Sequence, residues 1–412
     1  MSQSPSINYP LKHDLCTGCG ICVGVCPSGA ISTIVRDGRF LPSVNNLLCK
    51  NDKGCHRCYD TCPGVGVNLV RIAQEKFIDP ETKEDKFAGR FLKCFSGYSN
   101  DTIIREKCST AGVTSSFLIW LLTTGRIDGA VITKFDKDAP LKVKTILATT
   151  REEVLAAKGS KYAPVSFHDV VKLIKEASGS KYVIVGLPCH IHGFRKLESR
   201  DKNLREKIVG YFSLFCSGTQ TFNYTDYILS QCGISSQKLQ YLAYREGQPT
   251  GMVADDGLKK VFKDYVTYNG PLKSTFYPRR CLFCVDMLGE LADVDFGDLL
   301  HDPGDEKCKN AIIVRSRYWL ESILQASREG CITLEEISLD RLNYRRAMVS
   351  VKKTRNASYV KLLSMLGFAY PQYDSEYDAH IKMKLYIQYF FTRIKQFMGN
   401  HKSLWFMLPK IK

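Results

Sequence analysis

The residues most suggestive of chemistry form a run of closely spaced cysteines near the N-terminus. Two, two and three residues separate them, and Pro27 follows the last; they are Cys16, Cys19, Cys22 and Cys26. Thiolates at this spacing bind [4Fe–4S] clusters. Three of them, on a tight glycine-containing loop, can bind three irons of one cluster, while the fourth points to a neighbouring cluster.

A second run repeats this pattern with one change. It also ends in Cys-Pro, but its first interval is stretched to five residues, 50–54; its members are Cys49, Cys55, Cys58 and Cys62. Two such runs are typical of a bacterial-ferredoxin-like module in which each run lends its last cysteine to the other cluster. We therefore expect one cluster on Cys16, Cys19, Cys22 and Cys62, and a second on Cys49, Cys55, Cys58 and Cys26.

The alternative for these eight cysteines is zinc, because two Cys-x-x-Cys units can form a tetrahedral structural site. The two Cys-Pro endings favour iron–sulfur clusters. The module is expected to end with residues 68–76, so we assign residues 1–78 to a ferredoxin-like domain. A polar connector follows at residues 79–86.

From residue 89 the sequence alternates between strand and helix patterns, which is typical of an α/β domain with a largely parallel sheet. Helices are expected at residues 114–122, 152–157 and 170–177, and strands at 130–133, 182–185 and 208–215. The predicted fold class is α+β. It comprises the ferredoxin-like module, an α/β domain at residues 89–365 and a basic helical tail at residues 366–412.

Four later cysteines could hold a third [4Fe–4S] cluster. Cys189 and Cys216 follow the ends of two consecutive expected strands, so parallel strands would bring both to the sheet edge where α/β proteins bind ligands. The pair Cys281 and Cys284, preceded by two arginines, supplies two more thiols, and basic neighbours favour the thiolate form. The alternative is that Cys189 and Cys216 are ordinary buried cysteines.

The five remaining cysteines are expected in the core or as incidental residues: Cys94, Cys108, Cys232, Cys308 and Cys331.

A loop of small residues precedes the first apolar helix of the α/β domain. The free N–H groups and the dipole of a helix N-terminus favour a phosphate, and a nearby arginine could add charge. The candidate residues are Arg105, Ser109, Thr110, Gly112 and Thr114. The alternative is a plain helix cap.

Residues 16–337 resemble the coenzyme F420 hydrogenase/dehydrogenase beta-subunit family, in its form with an N-terminal ferredoxin module. Seven short stretches carry the resemblance, and they occur in the same order as in the family. They are Arg105 with 109–114, and residues 127–131, 159–162, 186–189, 215–218, 281–286 and 292–298. The resemblance implies an FAD with a [4Fe–4S] cluster close to it. It also implies that the 109–114 loop binds the FAD pyrophosphate and that Lys161 contacts the flavin. The family's usual Gly, Gln and His are replaced by Ala111, His190 and Ser217.

The net charge and the C-terminal tail indicate which kinds of partner the protein could bind. Lys and Arg outnumber Asp and Glu by 58 to 42, but no dense basic run or nucleic-acid motif occurs, so we expect no nucleic-acid partner. Residues 381–412 carry seven Lys/Arg, no Asp/Glu, and apolar residues at helical spacing. Such a segment could lie on a membrane surface or dock on a partner subunit. The alternative is a helix packed on its own domain.

We expect a flavin-dependent iron–sulfur oxidoreductase, with coenzyme F420 or a similar small molecule as hydride donor or acceptor and a redox protein as partner. One alternative is a non-catalytic electron-transfer subunit of a larger, membrane-attached complex; another is an assembly protein with structural clusters or zinc. The sequence lacks a signal peptide and an apolar run long enough to span a membrane. We therefore expect a reducing cytoplasm, with peripheral contact at the inner membrane face through the tail.

Overall fold

The computed structural model of the chain describes residues 5–136, 139, 141–247, 249–299, 308–375, 377, 379–380 and 382–411, with the backbone alone at 343–347. In its N-terminal module, the helices are α1 (Asn8–Lys12), α2 (Ile21–Gly24), α3 (Arg57–Asp60) and α4 (Leu69–Lys76), and the strands are β1 (Ile31–Arg36), β2 (Arg39–Val44) and β3 (Gly66–Val67). Asp37 and Gly38, both with positive φ, form the two-residue turn between the antiparallel strands β1 and β2.

The connector after this module is fixed to the rest of the chain. It contains a small antiparallel hairpin of β4 (Lys83–Asp85) and β5 (Gly89–Phe91). In front of the hairpin, Asp79 accepts hydrogen bonds of 2.8 Å from two guanidinium nitrogens of Arg317. The segment predicted as a polar connector is therefore held by a bidentate ion pair.

The strands from residue 93 to residue 337 form two sheets. They are β6 (Lys93–Ser99), β7 (Gly129–Phe135), β8 (Val143–Ala148), β9 (Tyr182–Gly186), β10 (Ile208–Leu214), β11 (Tyr241–Glu246), β12 (Gly251–Asp255), β13 (Lys260–Asp264), β14 (Val294–Leu299), β15 (Lys309–Val314) and β16 (Ile332–Ile337). Strands β11, β12 and β13 form a small antiparallel sheet, and the other eight form a large sheet in the order β16-β6-β15-β14-β10-β9-β7-β8.

The large sheet is mixed, so the prediction of a largely parallel sheet is wrong for its outer strands. The four central strands β14, β10, β9 and β7 are parallel, whereas every outer pair is antiparallel. Only residues 136–142 separate β7 from β8, and only 300–308 separate β14 from β15. A parallel connection needs a crossover of about a dozen residues or more, so these short connections favour antiparallel pairing.

The helices of the larger domain include the three that the sequence predicts, to within a few residues at their ends. They are α5 (Thr102–Lys107), α6 (Val113–Thr123), α7 (Arg151–Ala156), α8 (Val170–Glu176), α9 (Pro188–Glu198), α10 (Lys202–Lys207), α11 (Phe222–Gln231), α12 (Tyr265–Asn269), α13 (Arg317–Arg328), α14 (Asn343–Met365) and α15 (Met383–Asn400).

Apolar cores cover both faces of the large sheet. Phe117 of α6 and Trp319 of α13 are buried in the core on one face. On the other face, residues of α8 and α9 share a core with Ile21, Val67 and Leu69 of the N-terminal module. The module is thus packed on the sheet through the same kind of apolar burial that stabilises the domain itself.

The C-terminal segment folds back on the rest of the chain. Strand β17 (Gln372–Tyr373) pairs in parallel with β3 of the N-terminal module, and a 3₁₀ turn at Lys402–Met407 follows α15. Trp405, Leu408 and Ile411 join an aromatic core beside the small sheet. Within the predicted tail, residues 376, 378, 381 and 412 lie outside the described residues. No helix in the described part of the chain combines the length and apolarity needed to cross a membrane.

A fully buried ion pair ties the connector to the centre of the sheet. The Arg315 guanidinium donates to Asp295 at 2.8 Å, and neither side chain is exposed. It also donates to the carbonyl oxygens of Ala88, Arg90 and Leu288. Burial strongly raises the pKa of Asp295, and the nearby guanidinium opposes that rise.

We expect Arg315→Met to lower the free energy of unfolding by about 3–5 kcal/mol, because it leaves a buried carboxylate and several carbonyl groups without their donor. Urea unfolding followed by tryptophan fluorescence measures this loss. Arg328→Met, an exposed change on α13, is the control and should shift stability by less than about 0.5 kcal/mol. A loss below about 1 kcal/mol in Arg315→Met would contradict the role assigned to the ion pair.

Candidate functional site

The first cysteine loop takes its shape from glycines. Gly18 and Gly20 have φ near +77°, and the Gly18 N–H donates to the Cys16 sulfur at 3.4 Å. A Cβ atom on Gly20 would stand 2.3 Å from the Ser166 hydroxyl. Glycine is therefore required both for the backbone conformation and for the close approach of this loop to the larger domain.

The structure brings Cys62 of the second run to Cys16, Cys19 and Cys22 of the first. These four sulfurs lie close enough that their charges raise one another's pKa, and all four line one small cavity. Burial is the larger cause; it raises the pKa of Cys16 to about 12 and of Cys19 to about 11. Without metal these groups are neutral thiols, so cluster binding there would release protons.

The second group lies nearer the surface. Burial raises the pKa of Cys58, and Cys26 and Cys55 contribute to the rise through their charges. Cys49 is reached through the stretched interval, which forms a 3₁₀ turn at Asn51–Lys53. The Cys55 N–H closes this turn by donating to the Lys50 carbonyl at 3.1 Å. The five residues of the interval thus loop out while the chain returns to its starting point, so the longer spacing is compatible with a compact cysteine group.

The third group forms at the carboxyl ends of β9 and β10. These strands are parallel neighbours, and Cys189 and Cys216 follow them at one sheet edge. Burial strongly raises the pKa of Cys189, and the charges of Cys216, Cys19, Cys284 and Cys281 raise it further. All four candidate thiols of the third group are thus close together, and Cys19 places the first group beside them.

The donor set of these groups fits an iron–sulfur cluster. The thiolates of a [4Fe–4S] cluster bind separate irons at its corners, and the first group supplies four neighbouring cysteines around one cavity. Within the described residues, no group of three or more His, Cys, Asp or Glu side chains is placed to hold a single metal ion.

A junction joins the first and third groups. The Arg280 side chain, next to Cys281, donates to the carbonyl oxygens of Gly64 at 2.9 Å and Pro63 at 3.0 Å. A small cavity lies at the same junction and is lined by residues from both sides, among them Gly18, Cys189 and His190. Burial lowers the pKa of His190 to about 4, so this histidine is neutral near pH 7.

Two residues of α14 contact the third group, and the sequence analysis missed both. The buried Lys352 ammonium donates to the carbonyl oxygens of Cys216 at 2.9 Å and Asp286 at 3.2 Å. Asn356 donates to the Cys284 carbonyl at 2.6 Å. Burial raises the pKa of Cys216 to about 12, and the Lys352 charge opposes that rise. The only sequence signal was a pair of adjacent lysines within a helical pattern.

A half-buried arginine, Arg105 on α5, precedes the candidate phosphate loop. One guanidinium nitrogen of Arg105 is buried without a hydrogen-bond partner, and its pKa is lowered by burial. The guanidinium carbon stands 4.6 Å from the centre of the Tyr98 ring. Gly112, with φ of +77°, is the N-cap of α6. A buried guanidinium nitrogen without a partner and the free N–H groups of a helix N-terminus are both features that fit an anionic ligand.

The hydroxyl groups of this loop are already engaged. Ser109 accepts a hydrogen bond of 2.7 Å from the Ser160 N–H, and Thr110 donates to Asp298. Asp298 also accepts from Arg245 at 2.8 Å. At the start of α6, the Val113 N–H is capped by the Asn310 side chain, and Thr114 follows it in the first turn. The sequence analysis assigned no role to Arg245, Asp298 or Asn310, which are distant in sequence from the loop.

Lys161 lies in the segment that contacts this loop. Its ammonium donates to three backbone carbonyls, of Ala157, Lys158 and Gly159. Burial lowers the pKa of Lys161 to about 7. A contact with a flavin would require the side chain to leave these carbonyls.

Comparisons with known proteins identify the family to which the chain is similar. The N-terminal and C-terminal models of the coenzyme F420 hydrogenase/dehydrogenase beta subunit match residues 94–172 and 179–340, and a 4Fe-4S binding domain matches residues 9–32. Helices α14 and α15 lie beyond these matches.

Individual relatives cover different shares of the chain. It is 27% identical over 374 residues to the coenzyme F420-dependent sulfite reductase of Methanocaldococcus jannaschii, covering 86% of this chain and 53% of that protein. The chain therefore spans about half the length of that relative. The coenzyme F420 hydrogenase subunit beta of Methanosarcina barkeri is 24% identical, over 66% of this chain and 95% of the subunit.

A solved structure shares the fold. A chain of the F420-reducing [NiFe] hydrogenase complex from Methanosarcina barkeri superposes with a TM-score of 0.56 at 21% identity, covering 69% of this chain and 96% of that chain.

We expect Cys281→Ala to lower the iron content of the anaerobically reconstituted protein from about 12 to about 8 atoms per chain, because the third cluster loses a ligand. Iron and sulfide assays measure this. Cys331→Ala removes a half-buried thiol outside the three groups and should leave the iron content unchanged. Equal iron contents in the two variants would contradict the assignment of a cluster to the third group.

We expect Lys352→Met to lower the reduction potential of one cluster by roughly 50–100 mV, because a buried positive charge that favours the reduced form is removed. Potentiometric titration followed by electron paramagnetic resonance measures it. Lys361→Met, an exposed change on the same helix, should leave all potentials unchanged, and Lys352→Arg should retain most of the wild-type value. Equal shifts in Lys352→Met and Lys361→Met would rule out a local effect.

Proposed function

Because the chain belongs to the coenzyme F420 hydrogenase/dehydrogenase beta-subunit family, we propose that it is a flavin-dependent iron–sulfur oxidoreductase. It would exchange electrons between a small hydride carrier, FAD and three [4Fe–4S] clusters. The observation that carries the proposal is the closeness of the third cysteine group to the first: Arg280, next to Cys281, donates to the carbonyls of Pro63 and Gly64 beside Cys62, and Cys19 is near enough to Cys189 for its charge to raise the pKa of that thiol. This proximity extends the series of thiol groups from the sheet edge into the N-terminal module.

The residues proposed to hold the three clusters are the cysteines of the three groups. Cys16, Cys19, Cys22 and Cys62 would hold the first, Cys49, Cys55, Cys58 and Cys26 the second, and Cys189, Cys216, Cys281 and Cys284 the third. Backbone N–H groups such as those of Gly18 and Ala30, which donate to cysteine sulfurs, would stabilise the anionic clusters. Lys352 would add a buried positive charge to the third.

The residues proposed for FAD surround the start of α6. Arg105 would neutralise a phosphate with its unpaired nitrogen, and the N–H groups after Gly112 would donate to it. Thr110 and Ser109 would hold the loop through Asp298 and Ser160, which they already contact. FAD, when bound, would supply the conversion of a two-electron hydride into single electrons.

The second cysteine group is the proposed outlet. Its four cysteines are half-buried, whereas Cys16, Cys19, Cys22 and Cys62 are buried. Electron transfer to a partner protein requires a cluster close to the surface, and within the N-terminal module this group is the more exposed of the two. A redox partner protein would therefore dock on the side of the module that carries Cys49 and Cys55, in a reducing cytoplasm that keeps these thiols available for iron.

A second candidate function is supported by the longer protein and the multi-subunit complex to which the similar chains belong. The chain spans half of the sulfite reductase, and the structural neighbour belongs to a multi-subunit complex. The protein would then be an electron-transfer subunit whose catalytic partner is another chain. In either case, the proposed domains are residues 1–78, 89–365 and 366–412.

One experiment tests the proposal and separates the two functions. Anaerobically purified protein reconstituted with FAD is mixed in turn with reduced coenzyme F420, NADH and reduced ferredoxin, and the visible spectrum is recorded. We expect flavin bleaching by reduced coenzyme F420 followed by cluster reduction. Reduction by ferredoxin alone, with no flavin bound, would favour the electron-transfer subunit and contradict the flavoenzyme.

We expect Arg105→Met to weaken FAD binding by roughly 10- to 100-fold, because a charged hydrogen bond to phosphate contributes about 1.5–3 kcal/mol. Fluorescence titration of free FAD measures the change. Lys107→Met alters an exposed cation on the same helix and should bind FAD as the wild type does. Unchanged affinity in Arg105→Met would place the phosphate elsewhere.

A further inference from the structure

Helix α15 carries an apolar stripe that the chain itself leaves uncovered. Six large apolar side chains repeat at helical spacing along it, and each is between 40% and 71% exposed; they are Met383, Ile387, Phe390, Phe391, Ile394 and Phe397. Positions separated by three, four, seven or eight residues share one face of a helix. The stripe therefore runs along most of α15, over about 21 Å at 1.5 Å per residue.

The opposite face of α15 is anchored to the protein. Leu385 and Tyr389 pack against Tyr359 and Leu363 of α14, and the ring centres of Tyr359 and Tyr389 are 5.1 Å apart. The amide side chain of Gln396 is buried on the same side. The helix is thus fixed with its apolar stripe turned away from the domain, so the stripe does not contribute to the core.

Positive charge borders the stripe. From residue 382 to residue 411 the chain contains no Asp or Glu, and its cations are Lys382, Lys384, Arg393, Lys395, Lys402 and Lys410. At 100° per residue, Lys384 and Lys395 fall beside the stripe on one side and Lys382 and Arg393 on the other. The described part of α15 therefore presents an apolar ridge between two basic margins.

Segments that follow α14 and α15 also expose apolar side chains: Phe406 and Met407 in the turn after α15, and Leu366 and Phe368 at the end of α14. Large apolar side chains exposed together along one helix face mark a binding site. A helix with aromatic and aliphatic side chains on one face and lysines along its borders has the features of an interfacial membrane helix.

We propose that α15 lies in the surface of an anionic lipid membrane, with its six apolar side chains inserted between headgroups and its lysines contacting lipid phosphates. The charge favours lipid over a protein partner, because the lysines that border the stripe complement a uniformly anionic surface. The inference is independent of the proposed redox function, since α15 lies beyond the family matches.

Flotation of the full-length holoprotein with vesicles tests the proposal. We expect binding to vesicles of phosphatidylcholine with phosphatidylglycerol, and much weaker binding to phosphatidylcholine alone. The variant Ile387→Ser/Phe391→Ser/Ile394→Ser should bind at least about tenfold more weakly. The variant Lys384→Gln/Lys395→Gln should lose roughly fivefold for each lysine, and added salt should reproduce this loss.

Matched controls replace residues of the same type elsewhere. Leu258→Ser/Val266→Ser changes exposed apolar side chains, and Lys172→Gln/Lys202→Gln changes exposed lysines; neither should alter binding. Circular dichroism and the cluster spectrum must match the wild type for every variant. Absence of flotation with anionic vesicles at low salt would overturn the proposal. A dimer in light scattering that the serine variant dissociates, without vesicle binding, would assign the stripe to a second copy instead.

Discussion

The burial of thiol groups at the junction between the N-terminal module and the sheet edge is the constraint on which the rest of the structure depends. Anionic clusters in such a place need compensating donors and cations. Arg280, next to Cys281, and Lys352 of α14 donate to carbonyls at the junction. Lys196 donates to the Cys62 carbonyl at 2.8 Å. Each comes from a different element, so the junction forms only when the module, α9 and α14 are all in place.

Ion pairs behind the third group make this edge rigid. His192 contacts Asp286 at 2.8 Å, and Lys353 contacts Glu290, with all four side chains buried. Burial raises the pKa of Glu290 to about 7 despite the opposing charge of Lys353. Such pairs add little net stability, but breaking one leaves a costly buried charge. Their effect is therefore to fix one arrangement of the loop that carries Cys281 and Cys284.

The sequence was sufficient where short-range patterns determine structure. Cysteine spacing, strand runs and the α15 periodicity identified the elements, because these signals repeat within a few residues. It was insufficient where contacts join distant residues. Lys352 and Asn356 lie far along the chain from Cys216 and Cys284, and periodicity does not reveal what a buried lysine contacts. The antiparallel pairing of the outer strands was not predicted for another reason. The pattern of alternating strands and helices favours a parallel sheet, but the connections from β7 to β8 and from β14 to β15 are too short for a parallel crossover.

Helix α15 links the proposed membrane surface to the cysteine module. Arg393 of α15 lies 3.8 Å from Asp14, two residues before Cys16. Tyr389 of the same helix accepts a hydrogen bond from Arg279, which also donates to the His13 carbonyl at 2.7 Å. When the apolar stripe of α15 lies in the membrane surface, these contacts of the same helix would keep the first cysteine loop at a fixed height above the lipid. An electron carrier confined to the membrane surface would then meet the module without a search in three dimensions, which is a physical reason for joining these two features in one chain.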